Sequence, residues 1–257
     1  MRRKLERNGW NKFIGVFFTE GKILNHVDRK LSTGCIPIDD LLGGGIDIGS
    51  ITQLYGAPAS GKTNIALSAA AETVAEDKKV VYIDTEGISI DRFNQLAMGK
   101  GDLYELGEKL IISEVHNFEE QSAAIKRVVE FAADIDLIVL DSATGFYRLE
   151  QAERADGGAL RTLARQMISL LSLARRFDLA VIVTNQVYTD PETNQIRPLG
   201  GNILPHWNGT VLRLDRFRGG NRKITIEKHR SRPAGESTRF VIKENSLAGG
   251  DEWQVLN

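Results

Sequence analysis

The chain has 257 residues, of which 42% are hydrophobic and 26% are charged, and its formal net charge at pH 7 is −1. This composition is typical of a folded globular protein, excludes global disorder and provides no overall charge that would attract nucleic acid. No stretch approaches the roughly 18 apolar residues of a membrane helix, no signal peptide is evident and Cys35 is the single cysteine, so we expect a cytoplasmic protein without membrane contact.

The hydrophobic pattern divides the chain into two regions. Residues 1–30 show no sustained periodicity and are interpreted as an N-terminal extension, while residues 31–257 are interpreted as one ATPase core. Apolar runs predict buried parallel strands, and helical segments between them predict right-handed crossovers, which together indicate a doubly wound, mainly parallel α/β sheet. Later strand-like runs predict a C-terminal antiparallel extension. The predicted strands are residues 50–55, 79–84, 110–113, 136–140, 179–184, 210–216, 222–228 and 236–243, and the predicted helices are residues 62–75, 118–132 and 158–176.

The strongest chemical signal follows the first predicted strand of the core. A G-x-x-x-x-G-K-[ST] pattern lies between that strand and a helix, which is the context of a phosphate-binding P-loop. Glycines let backbone N–H groups surround phosphate, and the helix N-terminus adds partial positive charge. We expect Lys62 to reach the β- and γ-phosphates of ATP and Thr63 to bind Mg²⁺. The predicted nucleotide-binding residues are Gly56, Ala57, Pro58, Ala59, Ser60, Gly61, Lys62, Thr63 and Asn64.

Polar residues at the ends of other predicted strands complete a candidate ATPase site. Asp141 ends an apolar strand, where a carboxylate can hold Mg²⁺ directly or through water. Glu86 is the candidate for orienting or deprotonating the attacking water, whereas Asp84 is interpreted as a cap of its strand. Gln186 follows the fifth predicted strand, where its amide can accept from water and donate to a γ-phosphate. We therefore expect Lys62, Glu86 and Gln186 to act in catalysis.

Basic residues are concentrated in two segments, residues 1–12 and 207–243. Such segments contact phosphate backbones in some proteins and are solvated strand faces in others, and the sequence leaves both interpretations open. Within the second segment, Lys228 and Arg230 stand two residues apart. If both lie on one strand, they face the same side and can reach one phosphate.

Ordered matches to a known family extend from residue 31 to about residue 245. In these positions the chain resembles the RecA-like recombinases, and more narrowly the archaeal RadA and RadB group. The resemblance implies a RecA-like P-loop NTPase fold, with Glu86 as the catalytic glutamate and Gln186 as the γ-phosphate sensor. Arg92 resembles the arginine that stacks on adenine, one residue closer to Glu86 than in RadA-type proteins. The matching segments are residues 31–34, 41–46, 56–63, 82–87, 141–144, 163–166, 184–187 and 200–203.

The same resemblance implies two DNA-binding loops, at about residues 147–157 and 188–199. Arg148 and Arg154 lie in the first of these segments, and Arg197 lies in the second. We therefore expect these three arginines to contact DNA, with single-stranded DNA as the favoured partner.

Three further residues receive roles from the resemblance. His206 resembles a histidine that couples the ATP state to the second loop, and the alternative is a plain core or surface histidine. Lys228 and Arg230 resemble basic residues that reach the nucleotide of a neighbouring subunit in bacterial RecA and in KaiC, which would make them trans-acting fingers. The alternative for this pair is a solvated edge strand.

Departures from RadA-type proteins refine the expected function. Residues 1–30 are too few for the helix-hairpin-helix domain of RadA, and they lack the phenylalanine-x-x-alanine element with which RadA polymerises. A core without that domain, and the segment 227–231, fit the RadB pattern. The resemblance implies a slow, DNA-binding ATPase that assists a RadA-type recombinase in homologous recombination and DNA repair, with self-association left open. The alternatives are a recombination mediator without meaningful turnover and a KaiC-like signalling ATPase.

Overall fold

A computed structural model describes residues 30–153, 156–190, 196–201, 203–217 and 220–250. Nearly all of the predicted N-terminal extension lies outside the described residues. The helices are α1 (Ile36–Leu42), α2 (Lys62–Ala75), α3 (Ile90–Ala97), α4 (Leu103–Gly107), α5 (Phe118–Arg127), α6 (Gly145–Glu153), α7 (Gly158–Phe177) and α8 (Ile203–Trp207). The strands are β1 (Lys30–Leu31), β2 (Ile46–Asp47), β3 (Ile51–Gly56), β4 (Val80–Asp84), β5 (Leu110–Glu114), β6 (Leu137–Asp141), β7 (Ala180–Asn185), β8 (Val187–Thr189), β9 (Ile196–Pro198), β10 (Thr210–Arg216), β11 (Asn221–Lys228), β12 (Ser237–Ile242) and β13 (Leu247–Gly249).

Nine strands form one sheet in the order β13-β12-β11-β10-β3-β7-β6-β4-β5. The strands from β10 to β5 in this order run parallel to one another. Strands β11, β12 and β13 continue the sheet with antiparallel pairing. Strands β3, β4, β6 and β7 are buried along their whole length, as continuous apolar strands between two helical layers must be. The predicted doubly wound sheet with a C-terminal antiparallel extension is confirmed.

Helices cover both faces of the sheet because successive strand residues point to opposite sides. On one face Val80 and Tyr82 pack in a core with helices α1 to α4. On the other face Val81 and Ile83 pack in a second core with α5, α7 and α8. Among the described residues, no helix combines the length and apolar character needed to cross a membrane.

Candidate nucleotide-binding site

The P-loop joins β3 to α2 through a turn that requires a left-handed backbone. Gly61, which precedes α2, has a φ of 107°, and Ala59 has a φ of 60°. A Cβ atom added at Gly61 would lie 3.1 Å from Cδ of Arg222. Glycine is therefore needed at this position both for its backbone angles and for the close approach of a side chain. The turn directs the N-terminus of α2 into a cleft, where its N–H groups can bind an anion.

The cleft has a volume of about 380 Å³ and lies at the edge of the sheet where the parallel strands end. This position and size are those of small-molecule sites in α/β proteins, which span about 300–1,000 Å³. The structure thus brings the P-loop, Glu86 and Gln186 together, as the sequence predicted. The lining residues are Gly56, Pro58, Ala59, Gly61, Lys62, Thr63, Asn64, Glu86, Arg148, Gln186, Val187 and Arg222.

Lys62 is folded back onto its own loop. Its Nζ donates to the carbonyl oxygen of Gly56 at 3.0 Å and to that of Ala57 at 3.2 Å. Burial lowers the pKa of Lys62, while the negative charges of Glu86 and Asp141 act in the opposite direction. An anion in the cleft would replace neutral acceptors with charged ones, which form stronger hydrogen bonds with an ammonium group.

Asp141 ends β6 beside the P-loop and is only 3% exposed. Its Oδ2 accepts from Oη of Tyr82 at 2.7 Å, and its Oδ1 accepts from Oγ1 of Thr184. Burial raises the pKa of Asp141, and hydrogen bonds from Thr184, Tyr82 and Thr63 partly offset that effect. A divalent cation would stabilise the charged carboxylate, so the pair formed by Asp141 and Thr63 is suited to Mg²⁺.

The described residues contain no cluster of three or more His, Cys, Asp or Glu side chains that could hold a metal ion by themselves. This arrangement suits Mg²⁺, which commonly uses one or two carboxylates and takes its remaining ligands from water and substrate phosphates. Asp141 and Thr63 fit such a site without further protein ligands.

Glu86 is positioned by side chains from two neighbouring strand ends. Its Oε1 accepts from Nε2 of Gln186 at 2.7 Å and from Oγ of Ser142 at 2.8 Å. Asp84 does not take the role of catalytic base, because its carboxylate accepts hydrogen bonds from the backbone N–H groups of residues 86–88 at 2.6–3.1 Å. The interpretation of Asp84 as a cap is confirmed, and the turn that it organises presents Glu86 to the cleft.

Hydrogen bonds connect Gln186 to both segments that were predicted to bind DNA. Oγ1 of Thr144 donates to Oδ1 of Asn185 at 2.7 Å and accepts from the backbone N–H of Gln186 at 3.1 Å. The side chain of Asn185 is fully buried, and its Nδ2 donates to the carbonyl oxygen of Leu199 at 3.0 Å. Thr144 precedes α6 and Leu199 follows β9, so Asn185 ties the edge of the cleft to the bases of both segments.

The two predicted DNA-binding segments contain regular structure where loops were expected. Helix α6 occupies residues 147–153 of the first segment, where Tyr147 is buried against Phe118 of α5 with ring centroids 6.2 Å apart. The second segment contains an antiparallel hairpin of β8 and β9, in which exposed Arg197 pairs with Tyr188. Exposed Arg148 lines the nucleotide cleft. Arg154 lies outside the described residues.

Arg92 is connected to the described lining of the cleft by a hydrogen bond to Asn64. Its Nε donates to Oδ1 of Asn64 at 2.8 Å, and one Nη1 bond reaches Oε1 of Gln95 at 2.8 Å. Further bonds reach the carbonyl oxygens of Lys243, at 2.9 Å, and Glu244. Arg92 therefore joins α3 to the connection between β12 and β13, and its stacking on adenine stays a prediction.

The trans-finger candidates lie away from the described lining of the cleft. Nζ of Lys228 donates to the carbonyl oxygens of Pro205, at 2.7 Å, and Asn208, at 2.8 Å, and so caps the C-terminal end of α8. Strand β11 ends at Lys228, so the premise that Lys228 and Arg230 share one strand face was wrong. His206 lies in the same helix α8, with its ring edge-on to Trp207 at 5.1 Å.

We expect Lys228→Ala to lower the free energy of unfolding by about 1 kcal/mol, because the end of α8 loses a cationic donor. Exposed Arg230 provides the matched control, and Arg230→Ala should change stability by less than about 0.5 kcal/mol. Urea denaturation measures both variants. Equal effects of the two substitutions would contradict a capping role for Lys228.

Arg222 and Ser142 contribute to the site without having been predicted to do so. In the sequence, Arg222 stands out only as part of a basic segment and a predicted strand. The adjacent Gly219 and Gly220 predict a turn before that strand. This turn was the one sequence feature that could have indicated that Arg222 lies near the end of β3. Ser142 directly follows Asp141, and its hydrogen bond to Glu86 depends on how two strands end, for which the sequence carries no local signal.

The structure combines a parallel sheet, a P-loop after an inner strand and a carboxylate at the end of a nearby strand. These three features define the class of RecA-like P-loop ATPases. Residues 27–249 match the family described as Rad51, and the chain belongs to that family. This family belongs to the RecA-type ATPases, whose members generally bind ATP together with Mg²⁺.

Curated relatives and a solved structure support this assignment over most of the chain. The "DNA repair and recombination protein RadB" of Halobacterium salinarum is 50% identical over 232 residues, which cover 88% of this chain and 98% of the relative. The protein of the same name from Methanococcoides burtonii is 42% identical over 223 residues, covering 86% and 98%. A structure titled "Crystal structure of the RadB recombinase" is 37% identical with a TM-score of 0.76, covering 86% of this chain and 100% of that one. The resemblance to the archaeal RadB group is confirmed.

Proposed function

We propose that this chain binds ATP and Mg²⁺ in the cleft, binds DNA, and assists a RadA-type recombinase in homologous recombination and DNA repair. The observation that carries the proposal is that Lys62, Thr63, Glu86 and Gln186 line one cleft beside the buried carboxylate of Asp141. The relatives named DNA repair and recombination protein RadB support the biological setting.

Each of these residues has a distinct task in the proposed ATPase reaction. Lys62 would leave its loop carbonyls and bind the β- and γ-phosphates. Thr63 and Asp141 would hold Mg²⁺, whose charge would offset that of the phosphates. Glu86, held through one oxygen by Gln186 and Ser142, keeps its other oxygen available to orient and deprotonate a water molecule.

Gln186 is the proposed link between nucleotide and DNA. Its amide donates to Glu86 in the present structure, and a γ-phosphate would offer it a second, charged acceptor. A change of partner at Gln186 would be transmitted by Asn185 to α6 and to the β8–β9 hairpin, which carry Arg148 and Arg197. ATP can strengthen DNA binding in this way only if it favours one arrangement of these segments over another.

We propose that hydrolysis is slow. Within the described residues, Lys228 donates to backbone carbonyls of α8 and would have to leave them before it could act on a neighbouring chain. Lack of such a finger reduces phosphoryl transfer by about 10³- to 10⁵-fold in other P-loop enzymes. The same placement favours the second candidate function, a nucleotide-dependent recombination mediator without meaningful turnover.

ATP hydrolysis by the full chain tests the proposal, measured alone, with single-stranded DNA and with a RadA-type recombinase. Activity above that of a Lys62→Ala variant supports an ATPase, and stimulation by DNA or recombinase supports the proposed setting. Binding of ATP and DNA without hydrolysis would support the second candidate function, the recombination mediator. Mixing Glu86→Gln chains with Lys228→Ala, Arg230→Ala chains tests self-association, since restored activity requires that one chain complete the site of another.

We expect alanine substitution of Arg148, Arg154 or Arg197 to weaken DNA binding and to flatten its dependence on salt. Each lost phosphate contact should reduce the slope of log affinity against log salt by roughly 0.7 for single strands. Fluorescence anisotropy with labelled single-stranded DNA, at several salt concentrations and with or without ATP, measures the slope.

Arg239 on β12 is the control for these variants, because it is exposed and three strands separate β12 from β7, the strand that precedes β8. Arg239→Ala should retain the parental slope. Unchanged slopes and affinities in all three arginine variants would remove these segments from the DNA site. A defect of Arg148→Ala that appears only with ATP present would assign Arg148 to the nucleotide cleft that it lines.

A further inference from the structure

Arg222, the second residue of β11, lies beside the P-loop because of the pairing of the C-terminal strands. Strand β11 runs antiparallel to β10, which runs parallel to β3. The register pairs Arg216 with Arg222 and Leu214 with Gly56. The start of β11 therefore lies at the same edge of the sheet as the first residue of the P-loop.

The side chain of Arg222 packs on the P-loop and lines the nucleotide cleft. Its Cδ would be 3.1 Å from a Cβ atom at Gly61, so the aliphatic part lies directly on that glycine. Nη1 donates to the carbonyl oxygen of Gly220 at 2.5 Å, and Nη2 lies 3.5 Å from the carbonyl oxygen of Ala59. Nε is buried and has no hydrogen-bond partner among the described residues.

The described residues compensate the positive charge of Arg222 poorly. The acceptors that contact Arg222 are neutral backbone carbonyls, and the second of them is at the limit of a hydrogen bond. Burial lowers the pKa of Arg222, and repulsion by Arg216 lowers it further. A buried N–H donor that has no partner among the described residues is costly unless a ligand supplies the missing acceptor.

The sheet order indicates which part of a nucleotide Arg222 would meet. Strand β3 lies between β10 and β7. Gln186 follows β7, Asp141 ends β6 and Glu86 follows β4, and all three strands lie on one side of β3. These residues surround the proposed position of the γ-phosphate and Mg²⁺. Arg222 approaches from the opposite side. Its donors therefore face the part of a bound nucleotide that precedes the γ-phosphate.

We propose that Arg222 is a nucleotide-binding residue of the same chain that donates to the α- or β-phosphate of ATP and ADP. The inference rests on the proposed function, because it requires a nucleotide in this cleft. One consequence distinguishes Arg222 from Glu86 and Gln186: it contributes equally to ATP and ADP binding.

Dissociation constants for ATP and ADP, measured by calorimetry on full-length Arg222→Gln and Arg222→Lys, test the proposal. Loss of a charge-assisted contact should weaken Arg222→Gln for both nucleotides by a similar factor of about 10- to 100-fold. Arg222→Lys keeps the charge but not the planar set of donors, so its loss should be smaller and again equal for the two nucleotides.

Arg216→Gln is the matched control, because exposed Arg216 is the register partner of Arg222 and does not belong to the described lining of the cleft. Its nucleotide affinities should remain within about twofold of the parent. Urea denaturation without nucleotide should show that Arg222→Gln is no less stable than the parent, since the variant removes a buried Nε that has no hydrogen-bond partner among the described residues. If that variant does not fold, Arg222→Lys decides by the same comparison of ATP with ADP.

Unchanged affinity in the Arg222 variants, or a loss equal to that of Arg216→Gln, would overturn the proposal. A loss confined to ATP would overturn the assignment to the α- or β-phosphate. The Lys62→Ala variant separates this inference from the proposed function. If the parent binds ATP and Lys62→Ala does not, unchanged affinity in Arg222→Gln rejects only the role of Arg222. If the parent binds neither nucleotide, both proposals fail.

Discussion

Lys62→Ala is expected to weaken ATP binding by at least about 100-fold, whereas Glu86→Gln is expected to leave binding nearly intact and to slow hydrolysis by about 10²- to 10⁴-fold. Lys62 supplies the cation at the end of the P-loop, so its loss affects the bound state itself. Glutamine at position 86 keeps an oxygen that can accept from Gln186 and Ser142, but it cannot take a proton from water.

Nucleotide titration and single-turnover hydrolysis measure these two effects separately. Glu114→Gln is the control, because Glu114 ends β5, the strand next to β4, and is absent from the described lining of the cleft. It should match the parent in both assays. An equal loss of affinity in Lys62→Ala and Glu86→Gln, or parental hydrolysis by Glu86→Gln, would contradict the assignment of Lys62 to ATP binding and of Glu86 to hydrolysis.

The central strands and the P-loop could be predicted from the sequence because the forces that specify them act locally. A parallel strand that is buried on both faces must be apolar along its length, and the strands predicted at 50–55 and 136–140 are observed as Ile51–Gly56 and Leu137–Asp141. A P-loop uses backbone groups of consecutive residues, so its pattern is continuous in the chain. The position of Asp141 follows from the end of a recognisable strand.

Contacts between distant parts of the chain could not be predicted in the same way. Lys228 caps α8 through carbonyl groups that are 20 and 23 residues away, and Arg222 meets Gly61 only through the register of β11 with β10. Both appeared in the sequence as cations of one basic segment. Helix α6 was missed because a single buried contact, Tyr147 against Phe118, gives no periodic pattern in so short a segment.

The buried carboxylate of Asp141 makes the stability of the protein depend on pH. Burial raises the pKa of Asp141 above its ordinary value of 3.8. The folded chain therefore binds this proton more tightly than the unfolded chain. The resulting stability is fully present below the unfolded pKa and is lost as pH rises through the folded pKa. Once ionised, the buried carboxylate is a destabilising charge, which Mg²⁺ is expected to compensate.

Asp141→Asn is accordingly expected to stabilise the protein without ligands and to lose its response to Mg²⁺ and ATP. Without ligands, the advantage of the variant in free energy of unfolding should grow as pH rises above 3.8 and through the folded pKa of Asp141, because asparagine carries no titrating charge. The parent should gain about 2.7 kcal/mol when Mg²⁺ and ATP are present at 100 times the dissociation constant, and most of this gain should disappear in Asp141→Asn.

Urea denaturation with and without Mg²⁺ and ATP measures both parts of this expectation. Asp136→Asn is the matched control, because Asp136 directly precedes the same strand β6 at the end opposite Asp141 and is partly exposed. It should retain the parental stabilisation by ligands. If Asp141→Asn keeps that stabilisation, the carboxylate does not hold the ion. If it is less stable than the parent at every pH, hydrogen bonds from Tyr82 and Thr184 to the charged carboxylate outweigh the cost of burying it.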